Sequence, residues 1–140
     1  MDLPSWEEER ELAILRVEDA MHAPGVRALL GDESLATAQA LAKSSGEEFF
    51  LVSLANGRWE GISKEDLMKA AGDPGRSISN LSNTKLPVLH PDHPLDHALR
   101  VINDWPLVPV VHRADFRRLV GVVAVPDILK TYRKSKSVEH

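Results

Sequence analysis

The tetrapeptide Arg58-Trp59-Glu60-Gly61 recurs 60 residues later as Arg118-Leu119-Val120-Gly121. Towards the N-terminus, the same offset pairs the apolar dipeptide Phe50-Leu51 with Val110-Val111. A repeat of this length that keeps its register across several elements indicates a duplicated supersecondary unit. We therefore expect function in the cleft between the two copies rather than in one compact catalytic cluster.

The correspondence extends outward over most of the chain. Three apolar positions recur at the offset of 60, namely Leu35, Ala38 and Leu41 against Leu95, Ala98 and Val101. After the two glycines the offset becomes 61, because Ser63–Leu67 corresponds to Ala124–Ile128. The first copy thus lacks one residue just before its last helix.

Apolar spacing and turn residues predict the order β-α-β-β-α in each copy. In the first copy we expect an extended piece at 26–30, a helix after Asp32, strands at 49–54 and 59–62, and a helix from Ser63. In the second we expect an extended piece at 88–89, a helix at 94–103, strands at 108–112 and 119–123 with a turn at 113–117, and a helix at 126–132. Asn56-Gly57 predicts a hairpin turn because both residues tolerate a positive φ.

The predicted fold class is α/β (α+β), with two β-α-β-β-α repeats and a short N-terminal helix. Ser5-Trp6-Glu7-Glu8 has the form of a capping box, which predicts that this helix runs to about Arg16. The chain then divides into an N-terminal linker helix at 1–16, a first repeat at 17–71, a linker at 72–77, a second repeat at 78–132 and a flexible tail at 133–140.

Composition excludes several classes of protein. The net charge of −4 gives no support to nucleic-acid binding. The absence of cysteine excludes disulfides and thiolate chemistry. No apolar run reaches the roughly 20 residues that span a bilayer. We expect a cytoplasmic protein, or the cytosolic part of a membrane protein.

Several stretches in order resemble the tandem cystathionine-β-synthase (CBS) domain pair, over about Val17–Lys130. They are Leu86–Leu99 (LPVLHPDHPLDHAL), Val108–Val111 (VPVV) and Gly121–Leu129 (GVVAVPDIL), and Val17–Met21 (VEDAM) is similar to the usual opening of a first copy. The resemblance implies two repeats that pack through their sheets as a pseudo-twofold pair. It also implies clefts that bind adenosine nucleotides such as AMP, ADP or ATP, with no cofactor required.

The resemblance further implies a regulatory module without catalytic activity. Such pairs sit beside enzymes, channels, transporters or membrane proteases and adjust their activity. They commonly form homodimers, for which the helices at 66–71 and 127–132 are the candidates here.

The family's ligand signature is a Gly, two apolar residues, Ser or Thr, two variable residues and Asp, and neither copy matches it fully. The second copy keeps Gly121 and Asp127 but has Ala124 at the hydroxyl position. In the first copy, Gly61 is one residue too close to Asp66, and Glu60 lies near the position of a phosphate. The Asp would accept bonds from ribose hydroxyls, and the helix N-terminus would face the phosphate.

The ligand-binding residues that the resemblance implies are Ser63, Lys64, Asp66, Val88, Pro109, Val110, Gly121 and Asp127. Val88, Pro109 and Val110 would seat the adenine in the second copy, and Phe49 and Phe50 in the first. Each residue also has a simpler interpretation. The two aspartates complement the dipole at a helix N-terminus, Lys64 is an exposed helix lysine, and the apolar residues belong to the core.

Three histidines raise the question of a metal site. His93 and His97 are four residues apart, a spacing that metal ligands use on a helix, and His90 lies nearby. Pro91 and Pro94 interrupt this stretch, however, so we predict no metal site. We expect His93 to serve as an irregular helix cap and His112 to be exposed.

No catalytic residue is predicted, and we do not expect an enzyme. The spacing of the residues suggests no Ser-His-Asp arrangement, no phosphate-binding glycine-rich loop and no pair of carboxylates in a motif. Because both ligand signatures are damaged, one alternative stays open. The chain could be a ligand-free structural module that dimerises within a larger protein.

Overall fold

The computed structural model describes residues 14–81, 84–102 and 104–138, so the predicted helix at 5–16 lies almost entirely outside the described residues. Within these ranges there are five α-helices: α1 (Val17–Ala20), α2 (Leu35–Ser44), α3 (Lys64–Lys69), α4 (Leu95–Ile102) and α5 (Val125–Val138). The strands are β1 (Leu29–Leu30), β2 (Phe49–Ser53), β3 (Trp59–Ser63), β4 (Thr84–Lys85), β5 (Val108–His112) and β6 (Asp115–Val123). A 3-10 turn spans Ile78–Asn80. No helix in the described ranges is long and apolar enough to cross a membrane.

The chain forms two compact units. The first-repeat unit contains residues 24–86 and 115–117. The second-repeat unit contains, among the described residues, 14–23, 87–114 and 118–138. Each copy thus begins with a lead-in segment that packs in the unit built from the other copy. Its described residues are 17–23 in the first copy, and 78–81 and 84–86 in the second. The repeat boundaries at 17–71 and 78–132 follow the sequence register and stay a prediction.

The first-repeat unit is built on a four-stranded sheet with the order β1-β2-β3-β4. β1 runs parallel to β2, with Leu29 opposite Val52, and the other two pairs are antiparallel. Ser34 caps helix α2, since its Oγ accepts the N–H of Thr37 at 3.2 Å. The core beneath this sheet consists of Leu29, Leu35, Ala38, Ala42, Phe50, Val52, Ile62, Leu67 and Ile78.

The turn between β2 and β3 differs from the prediction. Gly57 has a φ of 81°, and no residue other than glycine in the described ranges has a positive φ, so Asn56 does not adopt one. The N–H of Leu54 donates to the carbonyl of Arg58, and the N–H of Gly57 donates to the carbonyl of Leu54. This is a hairpin loop with a single glycine in the left-handed region. The Asn56 side chain stabilises it by accepting the N–H of Arg58 at 3.0 Å.

The second-repeat unit pairs β5 with β6 and packs α1 and α4 against α5. Its core consists of Val17, Ala20, Leu89, Leu95, Ala98, Ile102, Val108, Val110, Val123 and Ile128. Backbone bridges attach the flanking segments, since His22 pairs with Val122 and Leu89 with Val110.

Two predicted boundaries in the second copy were wrong. β6 begins at Asp115, so the turn is shorter than 113–117. The carbonyl of Phe116 in this extra length accepts the indole N–H of Trp59 at 2.8 Å. Helix α5 continues to Val138 instead of ending at Tyr132, because residues 133–138 contain no Gly or Pro to stop it. Most of the predicted tail is therefore helical.

Candidate ligand site

The start of α3 leaves the Asp66 carboxylate free. Ser63 caps this helix, and its Oγ accepts the N–H of Asp66 at 3.0 Å. The Asp66 side chain is exposed, and its carboxylate has no hydrogen-bond or ion-pair partner among the described residues. A carboxylate in this state can accept two hydrogen bonds from a ligand.

Asp66 lines a pocket of about 440 Å³ in the first-repeat unit. The other residues of its wall are Ile62, Ala70, Ala71, Arg76, Asn80 and Leu81. The Arg76 guanidinium is oriented by the carbonyls of Ala71 and Asn80, to which it donates at 3.0 and 3.2 Å. The pocket thus combines an anion, a cation and apolar side chains, which suits a ligand with a diol, a phosphate and an apolar ring.

Sequence reasoning missed Arg76, which fell in the predicted linker at 72–77. This segment is packed into the first-repeat unit, because the N–H of Leu35 donates to the carbonyl of Arg76 and that of Ala36 to the carbonyl of Pro74. The available signal was the basic residue that stands two positions before the buried Ile78.

Lys64 lies away from this pocket. Its Nζ donates to the carbonyl of Ser45 at 2.8 Å, and its backbone N–H donates to the carbonyl of Glu48 at 2.8 Å. A lysine that bonds a free carbonyl at a helix end compensates the helix dipole. The amine therefore stabilises the C-terminus of α2, and the predicted role of Lys64 in ligand binding stays a prediction.

Asp127, the equivalent of Asp66 in the second copy, has a different environment. Its Oδ2 accepts the N–H of Ala124 at 2.8 Å and lies 3.0 Å from Nε2 of His22. Ala124 has no hydroxyl to cap α5, so the Asp at the third helical position bonds back to the capping amide. Gly121 is covered by Met21, since a Cβ at residue 121 would lie 3.1 Å from the Met21 Sδ.

The apolar candidates lie in or next to the two cores. Val110 and Phe50 are fully buried in the two cores, as expected if they serve only as core residues. Pro109 is buried, and its carbonyl accepts the N–H of Leu89 at 3.0 Å, whereas Val88 and Phe49 are half-buried. Phe49 lies over Gly61, where a Cβ would collide with the phenyl ring. A seat for adenine at these positions stays a prediction.

The three histidines form a packed row in the second-repeat unit. The ring centroids of His90 and His93 are 5.0 Å apart, and those of His93 and His97 are 4.6 Å apart. His93 Nδ1 accepts the N–H of His90 at 3.1 Å, so it closes the preceding turn rather than capping α4. In the ranges that the structure describes, no group of three or more His, Asp or Glu side chains is arranged to hold a metal ion.

The packing of His93 between His90 and His97 predicts that the stability of the fold depends on pH. Burial lowers the pKa of His93, with further lowering by His97, His90 and Arg113. The unfolded chain, with a histidine pKa of about 6.5, therefore takes up this proton at a higher pH than the folded chain. This contribution to stability is complete above the unfolded pKa and decreases as the pH falls through the window below it. We expect urea unfolding to show a lower free energy of unfolding at about pH 5.5 than at about pH 7.5.

His93→Asn keeps an acceptor for the N–H of His90 and should make this decrease smaller. The matched control is His112→Asn, in an exposed residue whose Nδ1 likewise accepts a backbone N–H, from Ala114 at 3.1 Å. If the free energy of unfolding of His93→Asn decreased between pH 7.5 and pH 5.5 as much as that of the wild type, His93 would not be the source of the pH dependence.

The chain is similar to known CBS proteins. The family model described as "CBS domain" matches residues 78–134. Comparison with curated protein sequences gives no match.

Solved structures with the same fold cover most of the chain. The CBS domains of a transcriptional regulator from Streptococcus pneumoniae are 17% identical with a TM-score of 0.65, covering 84% of this chain and 98% of that chain. The CBS domain of a bacterial CNNM/CorC family Mg²⁺ transporter is 15% identical with a TM-score of 0.69, covering 90% and 79%. CbpB in complex with c-di-AMP is 18% identical with a TM-score of 0.71, covering 96% and 97%. At these identities the likeness establishes the fold.

Proposed function

We propose that this chain is a regulatory module that binds an adenosine nucleotide and catalyses no reaction. Residues 78–134 match the CBS domain model, and the chain has the fold of a CBS pair. The observation that carries the proposal is the pocket that Asp66, with its free carboxylate, and Arg76 both line. The c-di-AMP bound to CbpB, which has the same fold, supports a ligand that contains adenosine.

In the proposed complex each part of the nucleotide meets a matching group. The Asp66 carboxylate accepts the two ribose hydroxyls, and Arg76 pairs with the phosphate. Ile62, Ala70 and Leu81 supply apolar contact for the base. Ser63 acts indirectly, since its hydroxyl caps α3 and leaves the carboxylate available.

Isothermal titration calorimetry of the full chain with AMP, ADP, ATP and c-di-AMP tests this proposal. We expect saturable binding of at least one nucleotide, and Asp66→Asn should weaken it roughly 10- to 100-fold, because hydrogen bonds to charged groups contribute about 1.5–3 kcal/mol. The matched control is Glu65→Gln, in an exposed acid of the same helix that pairs with Lys69. Equal loss in both variants, or no saturable heat with any nucleotide, would refute the proposed site.

The regulated protein would be an attached domain or a separate partner. Proteins with the same fold include the CBS domains of a transcriptional regulator and of a Mg²⁺ transporter. Nucleotide occupancy of this chain would likewise adjust a membrane channel, a transporter, a protease or an enzyme. A regulatory role needs a ligand that binds the two states of the partner assembly differently.

A ligand-free dimerisation module is the second candidate. It is favoured by two groups that are bonded within the chain, the Lys64 amine and the Asp127 carboxylate, and by Met68, which is 40% exposed on α3. The proposed homodimer would use this helix and the N-terminal half of α5. Light scattering that shows a concentration-independent dimer, together with no nucleotide heat, would favour this function over nucleotide binding.

A further inference from the structure

The lead-in residues Met21 and His22 lie directly on the ligand motif of the second copy. The backbone N–H of His22 donates to the carbonyl of Val122 at 3.0 Å, and the N–H of Val122 donates back to His22 at 2.9 Å. This reciprocal pair attaches the lead-in segment to β6 between Gly121 and the start of α5. The two neighbouring side chains then reach the residues that the signature reserves for a ligand.

The His22 side chain contacts the Asp127 carboxylate. Its Nε2 lies 3.0 Å from Asp127 Oδ2, so the tautomer protonated at Nε2 donates to this carboxylate, and its Nδ1 lies 2.8 Å from the carbonyl of Ala23. The same Oδ2 also accepts the N–H of Ala124 at 2.8 Å. With two hydrogen bonds on Oδ2, only Oδ1 of this carboxylate is left to accept from a ligand, so the two oxygens cannot each accept one ribose hydroxyl.

Met21 occupies the approach to Gly121. A Cβ at residue 121 would lie 3.1 Å from the Met21 Sδ and 3.2 Å from its Cβ and Cγ. The methionine thus fills the space that the missing glycine side chain leaves open. A ligand that came close to this backbone would first have to displace Met21.

The first copy has no such cover over its aspartate. Ser63 caps α3 through its hydroxyl, and the Asp66 carboxylate has no partner among the residues that the structure describes. The two copies therefore differ in the one group that a nucleoside requires. Where Ser63 supplies the capping hydroxyl of α3, Ala124 has none, and the Asp127 carboxylate takes over the cap of α5.

We propose that Met21 and His22 close the ligand motif of the second copy, so that each chain binds one nucleotide, beside Asp66, and that His22 determines this stoichiometry. This inference rests on the proposed function. It adds that the first copy has a functional ligand site, whereas the site of the second copy is blocked by residues of the same chain.

Calorimetry and equilibrium dialysis with AMP test the inference through stoichiometry. We expect one AMP per chain for the wild type and a second, weaker site in His22→Ala, because Asp127 Oδ2 regains one acceptor position while it still accepts the N–H of Ala124 and Met21 must still move aside. His22→Gln, whose side-chain amide can still donate to Asp127, should remain at one. Asp127→Asn added to His22→Ala should remove the gained site, and thermal unfolding of each variant checks that it folds.

The background variant Asp66→Asn separates this inference from the proposed function. His22→Ala in that background should bind one AMP, which would depend on Asp127, even if the wild type bound none. Binding that is absent in the wild type therefore counts against the Asp66 site alone. The inference is overturned if His22→Ala binds the same number of nucleotides as the wild type, or if Asp127→Asn alone removes a site from the wild type.

Discussion

Replacement of Phe50 by alanine is expected to lower the free energy of unfolding of the first-repeat unit by about 3–5 kcal/mol. Phe50 is 1% exposed and lies opposite Ile62 on β3, inside the core of that unit. Truncation removes the whole ring from an interior that cannot collapse around the cavity. Urea unfolding followed by the fluorescence of Trp59, which is 2% exposed in the same unit, measures the loss. Phenylalanine at the other two tryptophan positions isolates that signal.

Val110→Ala is the matched control, because it alters the equivalent strand position of the second-repeat unit. Val110 is also fully buried, but its truncation removes only two methyl groups and should cost about 2 kcal/mol. This loss should be read from Trp105, which packs against the core of that unit, in a second background with phenylalanine at positions 6 and 59. A Phe50→Ala variant within about 1 kcal/mol of the wild type would show that β2 does not carry the core as described.

These two strands also show what the sequence could predict. Runs of apolar residues bounded by turn residues identified β2 and β5, and the three-residue spacing of Leu35, Ala38 and Leu41 identified α2. Such patterns are local, since they report which side of an element is buried. They contain no information on which of the two similar copies provides the surface that covers that side.

The exchange of lead-in segments could not be predicted for that reason. The segment at 17–23 has the same apolar pattern whether it packs on the first copy or on the second. The sequence therefore assigned it to the copy that it precedes. The missed role of Arg76 has the same origin, because a linker between independent repeats would not line a pocket.

The ligand site stays a prediction, because a motif fixes residue identity but not hydrogen-bond partners. The signature indicates both aspartates and the missing hydroxyl at Ala124. The sequence does not show the effect of that missing hydroxyl, which is that the Asp127 carboxylate accepts the N–H of Ala124 and contacts His22. The Lys64 amine likewise has a carbonyl partner that no spacing rule indicates.

Leu67→Ala is expected to lower the free energy of unfolding by about 2–5 kcal/mol and to weaken nucleotide binding by at least about tenfold. Leu67 has no solvent exposure, and it is the buried residue of α3. A helix of six residues does not form by its own propensity, so tertiary packing must hold it. Loss of this anchor therefore displaces Asp66, one residue away, from the pocket wall.

The C-terminus of α3 keeps one further attachment, because Gln39 Nε2 donates to the carbonyls of Leu67 and Ala70 at 3.0 and 3.2 Å. We therefore expect a tilted or frayed α3 within a folded chain, which hydrogen exchange of its amides would detect. Met68→Ala is the control, since this neighbouring side chain is 40% exposed and its truncation should change neither quantity. If Leu67→Ala lost stability but kept its nucleotide affinity, the ligand would not depend on the position of α3, and the site beside Asp66 would be wrong.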